Sequence, residues 1–326
     1  MMVRNRIFGR TREKISIIGL GTYGHGGAYG SISKMESFRI FRSVLSNIHE
    51  ETKLLIDTAP RYGNGKVEKW LGEFSQDFKD RMLIATKCGR HIEHGRINEK
   101  DFSHDFLKKD LEGSLKRLNS NEIFLYQLHN PSLKIINNGS VFELLEKFAD
   151  EGKIKYYGVS IDNPEEGVAA IDICKENGYK RLVALQVIYN ILQKRADKEL
   201  FPKAKKSRIA IIARETLFRG FLTSKYNIKS DFSKVPSAIN KQLGLFGKER
   251  ILSKIKEVKM IVKESGVNFP LSQVAIKFAI SNPNVTVAIP GINRISYLKE
   301  DIGAAYINLG KKMLKKLEII ENITKR

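Results

Sequence analysis

Apolar and polar residues follow a repeating order along the chain, in which short apolar runs alternate with longer helical patterns. The short runs are rich in β-branched residues, which favours strands, and stretches such as HDFLKKDLEGSLKRL repeat apolar positions at helical spacing. The predicted strands cover residues 15–22, 54–59, 82–88, 123–129, 154–160, 182–189, 209–214 and 285–290. Strands that alternate with helices in this order favour a parallel sheet.

Eight strand–helix units in a chain of 326 residues predict a closed α/β barrel, the (β/α)8 TIM barrel, rather than an open doubly wound sheet. The strands are similarly short and no change of composition marks a second domain, so we expect a single domain over residues 1–326. Ahead of the barrel, VRNRIFGRTREKISII with a turn at Gly9 predicts a small β-hairpin. Residues 227–248 have weak periodicity and are expected to form a long loop that covers a functional site.

The first predicted strand runs into GLGTYG, which matches the G-x-G-x-x-G pattern of a dinucleotide-binding loop. That pattern works when the glycines open directly into a helix and an acidic residue follows about 20 residues later. Here the chain stays glycine-rich to Gly30, and the first helix signal is a capping box from Ser33 to Glu36. No acidic residue lies between Glu36 and Glu50. We therefore interpret GLGTYG as a strand end that leads into a glycine loop.

The charge balance is strongly basic, with 57 Lys and Arg residues against 36 Asp and Glu residues and a formal net charge of +21. Such a field attracts anions, including nucleic acid and phosphorylated small molecules. The basic residues are scattered on amphipathic helical patterns and do not alternate with stacking aromatic residues. Nucleic acid is therefore not the expected partner.

Features of a membrane or secreted protein are missing from the sequence. No apolar run has the length of a membrane span, and the N-terminal residues MMVRNRIFGRTREK lack the apolar core of a signal peptide. The two cysteines, Cys88 and Cys174, form neither a metal-binding spacing nor a disulfide framework. We expect a cytoplasmic protein without a membrane partner or a metal site.

Polar side chains stand at the ends of several predicted strands. In a barrel of this kind the carboxyl ends of the strands meet in one mouth, where binding and catalytic residues gather. The residues that would converge there are Asp57, Lys87, His129, Ser160, Gln186 and Arg214.

The same residues lie in motifs that resemble the aldo-keto reductase family, whose fold is a (β/α)8 barrel that binds a nicotinamide dinucleotide without a Rossmann unit. The similarity extends from the N-terminal hairpin to about residue 305. The motifs that carry it are LLIDTAPRYGNGKVEKWLGE, LIATKCG, YQLHNP, YYGVSIDN, LQVIYN, RGFLTSKY and IPGINRISYLKED.

Reduction of a carbonyl by hydride needs a proton donor at the carbonyl oxygen, and Tyr62 is placed for this role after the second strand. Lys87, held by Asp57, would stabilise the phenolate that remains. His129 would hydrogen-bond to the substrate oxygen and orient it. The resemblance matches these four residues to the family's catalytic tetrad. Taken singly, Asp57 and Lys87 also fit a structural ion pair, His129 a strand-end histidine and Tyr62 a pocket wall.

The resemblance also implies the cofactor contacts. Ser160, Asn163 and Gln186 match positions that bind the nicotinamide carboxamide. Tyr189 matches the aromatic residue that stacks on the nicotinamide ring. Taken singly, Asn163 also fits a helix cap, and Tyr189 fits the barrel core. The remaining matched positions, from the ribose to the adenosine end, are Thr22, Tyr23, Arg214, Leu217, Gly220, Gly291, Asn293, Arg294, Tyr297, Glu300 and Asp301.

Two departures from the family pattern bear on the cofactor. After the seventh strand Arg214 and Glu215 are neighbours, and these opposite charges either pair with each other or reach the pyrophosphate. The arginine that many members use against the 2′-phosphate aligns with Tyr297, while Arg294 lies one turn earlier. NADP(H) is therefore favoured as the cofactor, and NAD(H) stays open.

The resemblance implies an NAD(P)(H)-dependent oxidoreductase that interconverts an aldehyde or ketone, with a sugar among the candidates, and its alcohol. The alternative is a regulatory or interaction protein that keeps the barrel and the cofactor pocket, as ion-channel β-subunits resembling this family do. His25 and Tyr29, in the first glycine loop, fit substrate contacts and a surface turn equally well. The substrate, the direction of the reaction and the oligomeric state are not encoded in any of these motifs.

Overall fold

A computed structural model describes residues 3–92, 99–227 and 229–324 of the chain. Its strands are β1 (Asn5–Ile7), β2 (Lys14–Ser16), β3 (Leu20–Gly21), β4 (Leu54–Asp57), β5 (Met82–Cys88), β6 (Ile123–His129), β7 (Ile154–Ser160), β8 (Leu182–Ile188), β9 (Ala210–Arg214) and β10 (Val287–Ala288). Its helices are α1 (Lys34–Ser46), α2 (Lys66–Ser75), α3 (His104–Leu118), α4 (Leu133–Asn138), α5 (Ser140–Asp150), α6 (Pro164–Glu176), α7 (Leu200–Lys206), α8 (Ser237–Phe246), α9 (Lys248–Glu264), α10 (Leu271–Ser281), α11 (Ile295–Gly303) and α12 (Gly310–Glu318).

Strands β3 to β10 form an eight-stranded parallel sheet in chain order. Its two edges join through a parallel bridge between Ile18 and Ala288, where the Gly19 amide donates to the Ala288 carbonyl at 2.8 Å. β1 and β2 pair antiparallel ahead of this sheet. The predicted (β/α)8 barrel with an N-terminal hairpin is thus confirmed.

The first and last barrel strands are shorter than predicted. Residues 14–16 form β2 of the hairpin and also pair with Lys53 through a parallel bridge at Ile15, and the barrel strand proper is Leu20–Gly21. Between them the Ser16 hydroxyl donates to the Ile18 carbonyl at 2.8 Å, a side-chain contact that competes with strand pairing. The prediction of one continuous strand over 15–22 is therefore wrong.

The segment predicted as one long loop, residues 227–248, contains helix α8, and Ile228 within it lies outside the described residues. Ala238, Ile239, Gln242 and Phe246 are buried at helical spacing, and the Phe246 ring lies 5.6 Å from the ring of Phe218. Tertiary packing against the loop after β9 therefore outweighs the low helix propensity of a segment that contains Gly244.

The bottom of the barrel is closed by the hairpin. Phe8 is fully buried there in a cluster with Leu55, Leu83 and Val183. Gly9 turns at φ 58°, where an added Cβ would lie 2.6 Å from the Val183 carbonyl oxygen, so a side chain does not fit. Access to the barrel interior is therefore from the opposite end. In the described ranges, no helix combines the length and apolar character needed to cross a membrane.

Candidate active site

A cavity of about 660 Å³ opens at the carboxyl ends of the barrel strands. The four predicted catalytic residues all line it, and each comes from the end of a strand or the loop that follows: Asp57, Tyr62, Lys87 and His129. The geometry therefore brings together side chains that are up to 72 positions apart in the chain, as the barrel topology predicts.

Lys87 is the centre of this arrangement. Its Nζ donates to both carboxylate oxygens of Asp57 at 2.7 Å, to the Thr58 carbonyl at 2.9 Å and to the Tyr62 hydroxyl oxygen at 3.2 Å. Lys87 is only 1% exposed, so the ion pair is shielded from solvent and from salt. A cation held in this way stabilises negative charge on the phenolic oxygen.

Asp57 is held by more than the ammonium group. The side-chain amides of Gln186 and Gln127 donate to its Oδ1 at 2.6 Å and 3.3 Å. A buried carboxylate needs such partners, because an unpaired buried charge is strongly unfavourable. Gln186 thus orients Asp57 in this structure. The contact between Gln186 and the nicotinamide carboxamide, which the resemblance implies, would use the same side-chain amide.

His129 lies beside this pair with its imidazole neutral. Burial, followed by the positive charges of Lys87, Arg90 and Arg61, lowers the pKa of His129 well below its ordinary value. Neither ring nitrogen hydrogen-bonds to a described residue, although His129 lines the cavity. A neutral imidazole with a free N–H is suited to donate to a carbonyl oxygen.

The loop that bears Tyr62 is fixed by close contact with the glycine loop after β3. A Cβ at Gly26 would lie 2.7 Å from the Gly63 nitrogen, so only glycine allows the two backbones to meet. Gly63, Asn64 and Gly65 all have positive φ, and they turn the chain from Tyr62 into α2. This contact explains part of the glycine run that the sequence left without a function.

His25 and Tyr29, the two residues of the glycine loop that fit either substrate contacts or a surface turn, have different surroundings in the structure. His25 is fully buried, its Nε2 donates to the Ile292 carbonyl at 2.7 Å, and its Nδ1 lies 2.9 Å from the Ser37 hydroxyl. Burial lowers the pKa of His25 to about 4. It is a structural residue away from the cavity, whereas Tyr29 lines the cavity and packs edge-on against Tyr23.

Most of the predicted cofactor positions also line the cavity. They are Tyr23, Ser160, Gln186, Arg214, Leu217, Gly220, Gly291, Asn293, Arg294, Tyr297, Glu300 and Asp301. Thr22 and Asn163 do not. The Thr22 hydroxyl donates to the Asp57 carbonyl at 2.8 Å, and the Asn163 side chain donates to Glu166 at 3.2 Å within the first turn of α6.

Tyr189 also lies away from the cavity. Its ring is 5.0 Å from the ring of Phe201 and 5.9 Å from that of Phe278, and its hydroxyl donates to Asp197 at 3.1 Å. Successive side chains of a strand point to opposite faces, so Gln186 faces the barrel interior and Tyr189 faces the helices. This geometry contradicts the predicted stacking of Tyr189 on a nicotinamide ring.

Ion pairs join the end of β9 and the loop after it to Asp162, which follows β7. Arg214 donates to Asp162 at 2.8 Å and to Glu215 at 2.9 Å, and Glu215 also accepts from Arg219 at 2.7 Å. Glu215 and Arg219 both adopt positive φ, a backbone state that is costly for residues other than glycine. Arg214 and Glu215 thus pair with each other, one of the two outcomes that the sequence left open.

The far end of the cavity is lined by further cations and by a buried acid. Lys225 and Lys241 line it together with Arg294, and the sequence did not indicate either lysine. Asp301 is 3% exposed, and burial together with the neighbouring Glu300 raises its pKa to about 8. The Ser272 hydroxyl hydrogen-bonds to Glu300.

Two arginines that line the cavity near the predicted catalytic residues were also not identified from the sequence. Arg61 lies 5.6 Å over the ring of Tyr23, and Arg90 lines the cavity after β5. Both could have been predicted from their positions in the sequence, because Arg61 precedes Tyr62 and Arg90 lies two residues beyond Cys88 at the end of β5.

The barrel, the strand-end site and the sequence together define the class. The sequence profile of the Aldo/keto reductase family matches residues 17–322, and the chain therefore belongs to this family of oxidoreductases.

Individual relatives agree with this assignment. The uncharacterized oxidoreductase YqkF of Bacillus subtilis is 26% identical over 93% of this chain and 91% of its own length. The aldo-keto reductase YhdN of the same organism is 27% identical over 89% of this chain and 85% of its own length. The glycerol dehydrogenase AKR11B4 from Gluconobacter oxydans superposes with a TM-score of 0.78 at 26% identity, covering 97% of this chain and 94% of that one. The aldo-keto reductase AKR11C1 from Bacillus halodurans, solved in a holo form, superposes at 0.76 with 22% identity over 98% and 97%, which shows the shared fold.

Proposed function

We propose that the chain acts as one domain and is an NAD(P)(H)-dependent reductase of aldehydes or ketones, with Tyr62 as the proton donor. The observation behind this is the contact of one buried ammonium group, Lys87, with both the Asp57 carboxylate and the Tyr62 hydroxyl. A purely structural ion pair has no need of a tyrosine hydroxyl that faces a cavity beside a neutral histidine.

The cavity fits a nicotinamide dinucleotide. Its volume of about 660 Å³ is within the usual range of ligand sites, and it extends from Tyr62 to Asp301. Arg214 Nε and Thr216 Oγ1 are buried without a hydrogen-bond partner among the described residues, at the place where the sequence predicts the pyrophosphate. Such orphaned donors favour an anionic ligand there.

The mechanism follows from the positions of these side chains. A nicotinamide dinucleotide held along this cavity would supply the hydride for the carbonyl carbon. As charge develops on the carbonyl oxygen, Tyr62 transfers its hydroxyl proton to that oxygen, and Lys87 stabilises the phenolate that is left. Asp57 and its glutamine partners keep Lys87 within reach. The neutral His129 donates its N–H to the same carbonyl oxygen and orients it.

We propose NADP(H) as the favoured cofactor. Arg294, Lys225 and Lys241 place three cations at the predicted adenosine end, which favours a ligand with an additional phosphate. Tyr297, which is 40% exposed, replaces the expected arginine and cannot form a bidentate contact with phosphate. The preference over NAD(H) should therefore be moderate.

The substrate is a small carbonyl compound or the corresponding alcohol. The relative from Gluconobacter oxydans is a glycerol dehydrogenase, which supports polyols and sugars as candidates for this chain. We propose a cytoplasmic enzyme without a nucleic-acid partner. The complete proton-donor arrangement favours turnover over the alternative of a cofactor-binding regulatory protein.

Oxidation of NADPH or NADH by the purified protein with a panel of aldehydes, ketones and sugars tests the reductase proposal. Binding of each cofactor is measured separately by fluorescence titration. Turnover that depends on Tyr62 supports the proposal. Tight cofactor binding without turnover of any carbonyl would favour the regulatory alternative instead.

A further inference from the structure

One face of α11 forms a wall of the cavity at its far end. Arg294, just before the helix, Tyr297 and Asp301 recur at helical spacing, and all three line the cavity. Tyr297 is 40% exposed, whereas Asp301 is 3% exposed. The helix thus carries a buried carboxyl group at the end of the cavity where the sequence predicts the adenosine part of the cofactor.

The carboxyl group of Asp301 has no partner in the part of the chain that the structure describes. No described side chain or backbone group hydrogen-bonds to it, and no described cation forms an ion pair with it. The neighbouring Glu300 differs, because it accepts a hydrogen bond from the Ser272 hydroxyl. A buried polar group without a partner is costly for the fold, and at a cavity wall a ligand that satisfies it explains this state.

The surroundings of Asp301 favour its neutral form. Burial, and then the negative charge of Glu300, raises the pKa of Asp301 to about 8. The described cations that line this part of the cavity form no ion pair with it, and they are Arg294, Lys225 and Lys241. The carboxyl group therefore keeps its proton at neutral pH.

The helices packed against α11 do not change this balance. They are α1 and α10, and their buried residues are all uncharged. The half-buried charges on them are engaged elsewhere, since Glu36 pairs with Arg39 at 4.0 Å and Lys277 donates to the Ala305 carbonyl at 3.4 Å.

We propose that Asp301 binds the purine ring of the cofactor as a neutral acid, donating its O–H to N7 and accepting a hydrogen bond from the N6 amino group. A protonated carboxyl group presents a donor and an acceptor side by side, whereas a carboxylate is an acceptor only. The edge of adenine offers the matching pair, an amino donor at N6 beside the acceptor N7. The inference rests on the proposed dinucleotide cofactor but not on turnover, and it makes cofactor affinity dependent on pH.

Two other parts of the cofactor fit Asp301 less well. A phosphate group would lie against the negative charge of Glu300, although Arg294 is available for it nearby. A ribose hydroxyl would favour the ionised carboxylate, as in dinucleotide sites where an acid binds the 2′-hydroxyl, and burial beside Glu300 disfavours that form. This alternative predicts an affinity that does not fall as pH rises.

The pH dependence of binding tests the protonation state. NADPH and NADH are titrated into the purified protein at pH 7 and pH 9, and binding is followed by fluorescence. With a pKa of about 8, the neutral fraction of Asp301 falls about tenfold over this range, so both dissociation constants should rise about tenfold. Burial and Arg294 also lower the pKa of Lys225, which bears on the 2′-phosphate that NADH lacks, so NADH is the decisive probe. A dissociation constant for NADH that is unchanged or lower at pH 9 overturns the proposal.

Substitution of Asp301 tests the residue itself. Asp301→Asn keeps a donor and an acceptor but cannot ionise, so it should bind NADH at pH 7 about as tightly as the wild type and keep that affinity at pH 9. Asp301→Leu should lower the affinity about ten- to a hundredfold at pH 7. Asp77→Asn, at an exposed position after α2, is the matched control and should keep the wild-type pH dependence. A pH dependence that survives in Asp301→Asn overturns the assignment.

The base is tested with the hypoxanthine analogue of NADH, in which an oxygen replaces the N6 amino group. The acceptor oxygen of Asp301 then faces another acceptor, so the wild-type affinity at pH 7 should fall about ten- to a hundredfold. Asp301→Leu should no longer distinguish the two cofactors. Equal wild-type affinity for both cofactors overturns the proposal. If Asp301→Asn fails to fold, this comparison and the pH dependence of the wild type decide the same question.

Binding and turnover together separate this inference from the reductase proposal. Cofactor affinity that falls with pH as expected, without turnover of any carbonyl, supports the inference, and the reductase proposal then fails alone. Turnover of carbonyls with the same cofactor affinity at pH 7 and pH 9 overturns the inference alone. A protein that binds neither NADPH nor NADH overturns both.

Discussion

Replacement of Lys87 by methionine removes the ammonium group that joins Asp57 to Tyr62, while a chain of similar length stays in place. Asp57 then keeps only the amides of Gln186 at 2.6 Å and Gln127 at 3.3 Å. Loss of one partner of a buried ion pair costs about 3–5 kcal/mol, and the two remaining donors point to the lower end of that range. We expect Lys87→Met to lower the free energy of unfolding by about 3 kcal/mol.

The same change should lower carbonyl turnover about 10²- to 10⁴-fold, because the phenolate of Tyr62 is no longer stabilised as its proton leaves. The double variant Lys87→Met with Asp57→Asn separates the two effects. It removes the uncompensated carboxylate, so the free energy of unfolding should recover, while turnover should stay low. Denaturant unfolding and steady-state rates measure the two quantities.

Two results would refute this reasoning. If Lys87→Met keeps the wild-type rate, the contact of 3.2 Å between Lys87 and Tyr62 has no catalytic role. If the double variant regains turnover, the loss in the single variant comes from the stranded carboxylate and not from the missing cation.

Three further predictions concern single residues. Tyr62→Phe should keep cofactor affinity and lower turnover at least about a hundredfold in a steady-state assay. Arg294→Ala should erase most of a preference for NADPH of about ten- to a hundredfold in a fluorescence titration, and addition of Lys225→Ala should remove what remains. The folded pKa of His25 lies at about 4, below its ordinary 6.5, so the unfolded chain binds the proton first and stability falls as pH drops from 6.5 to 4. Protonation of His25 should lower the free energy of unfolding by about 3 kcal/mol between pH 6.5 and pH 4. His25→Gln should therefore flatten the pH dependence of stability measured by denaturant unfolding.

The first two of these predictions have a matched control. Tyr306→Phe changes a tyrosine that does not line the cavity, and it should leave turnover unchanged. Arg39→Ala removes an exposed cation of α1 and should leave the cofactor preference as it is. A strong NADPH preference that survives loss of both Arg294 and Lys225 would show that another residue binds the 2′-phosphate. An unchanged pH slope in His25→Gln would place the titrating group elsewhere.

The convergence of Asp57, Tyr62, Lys87 and His129 on one cavity was predictable from the sequence, because barrel topology sends the ends of β4, β5 and β6 to one mouth. Their assignment as a catalytic tetrad rests on the family resemblance and stays a prediction. The predicted cofactor contacts were harder to infer from the sequence. Whether Tyr189 faces the barrel or the helices depends on the side-chain alternation past the end of β8, and the ring pocket of Phe201 and Phe278 favours the outer face. A motif match cannot resolve that alternation.

Other features depend on contacts between segments that are distant in the chain. Helix α8 forms because Phe246 packs on Phe218, a contact that the weak periodicity of its own segment does not encode. The same holds for Arg61 and Arg90. Each is an ordinary surface residue in the sequence, and only the closed barrel brings both to the mouth beside Arg214.

The close approach of Gly26 to Gly63 restricts how this protein can be re-engineered. A library that diversifies the first loop to change the substrate range would have to keep glycine at position 26, where any side chain would displace the loop that carries Tyr62. Gly27 and Gly30 have open space around them, but their φ values of 95° and 111° disfavour other residues. Variation in this loop is therefore best concentrated at Ala28 and Tyr29, which leaves Tyr62, the proposed proton donor, undisturbed.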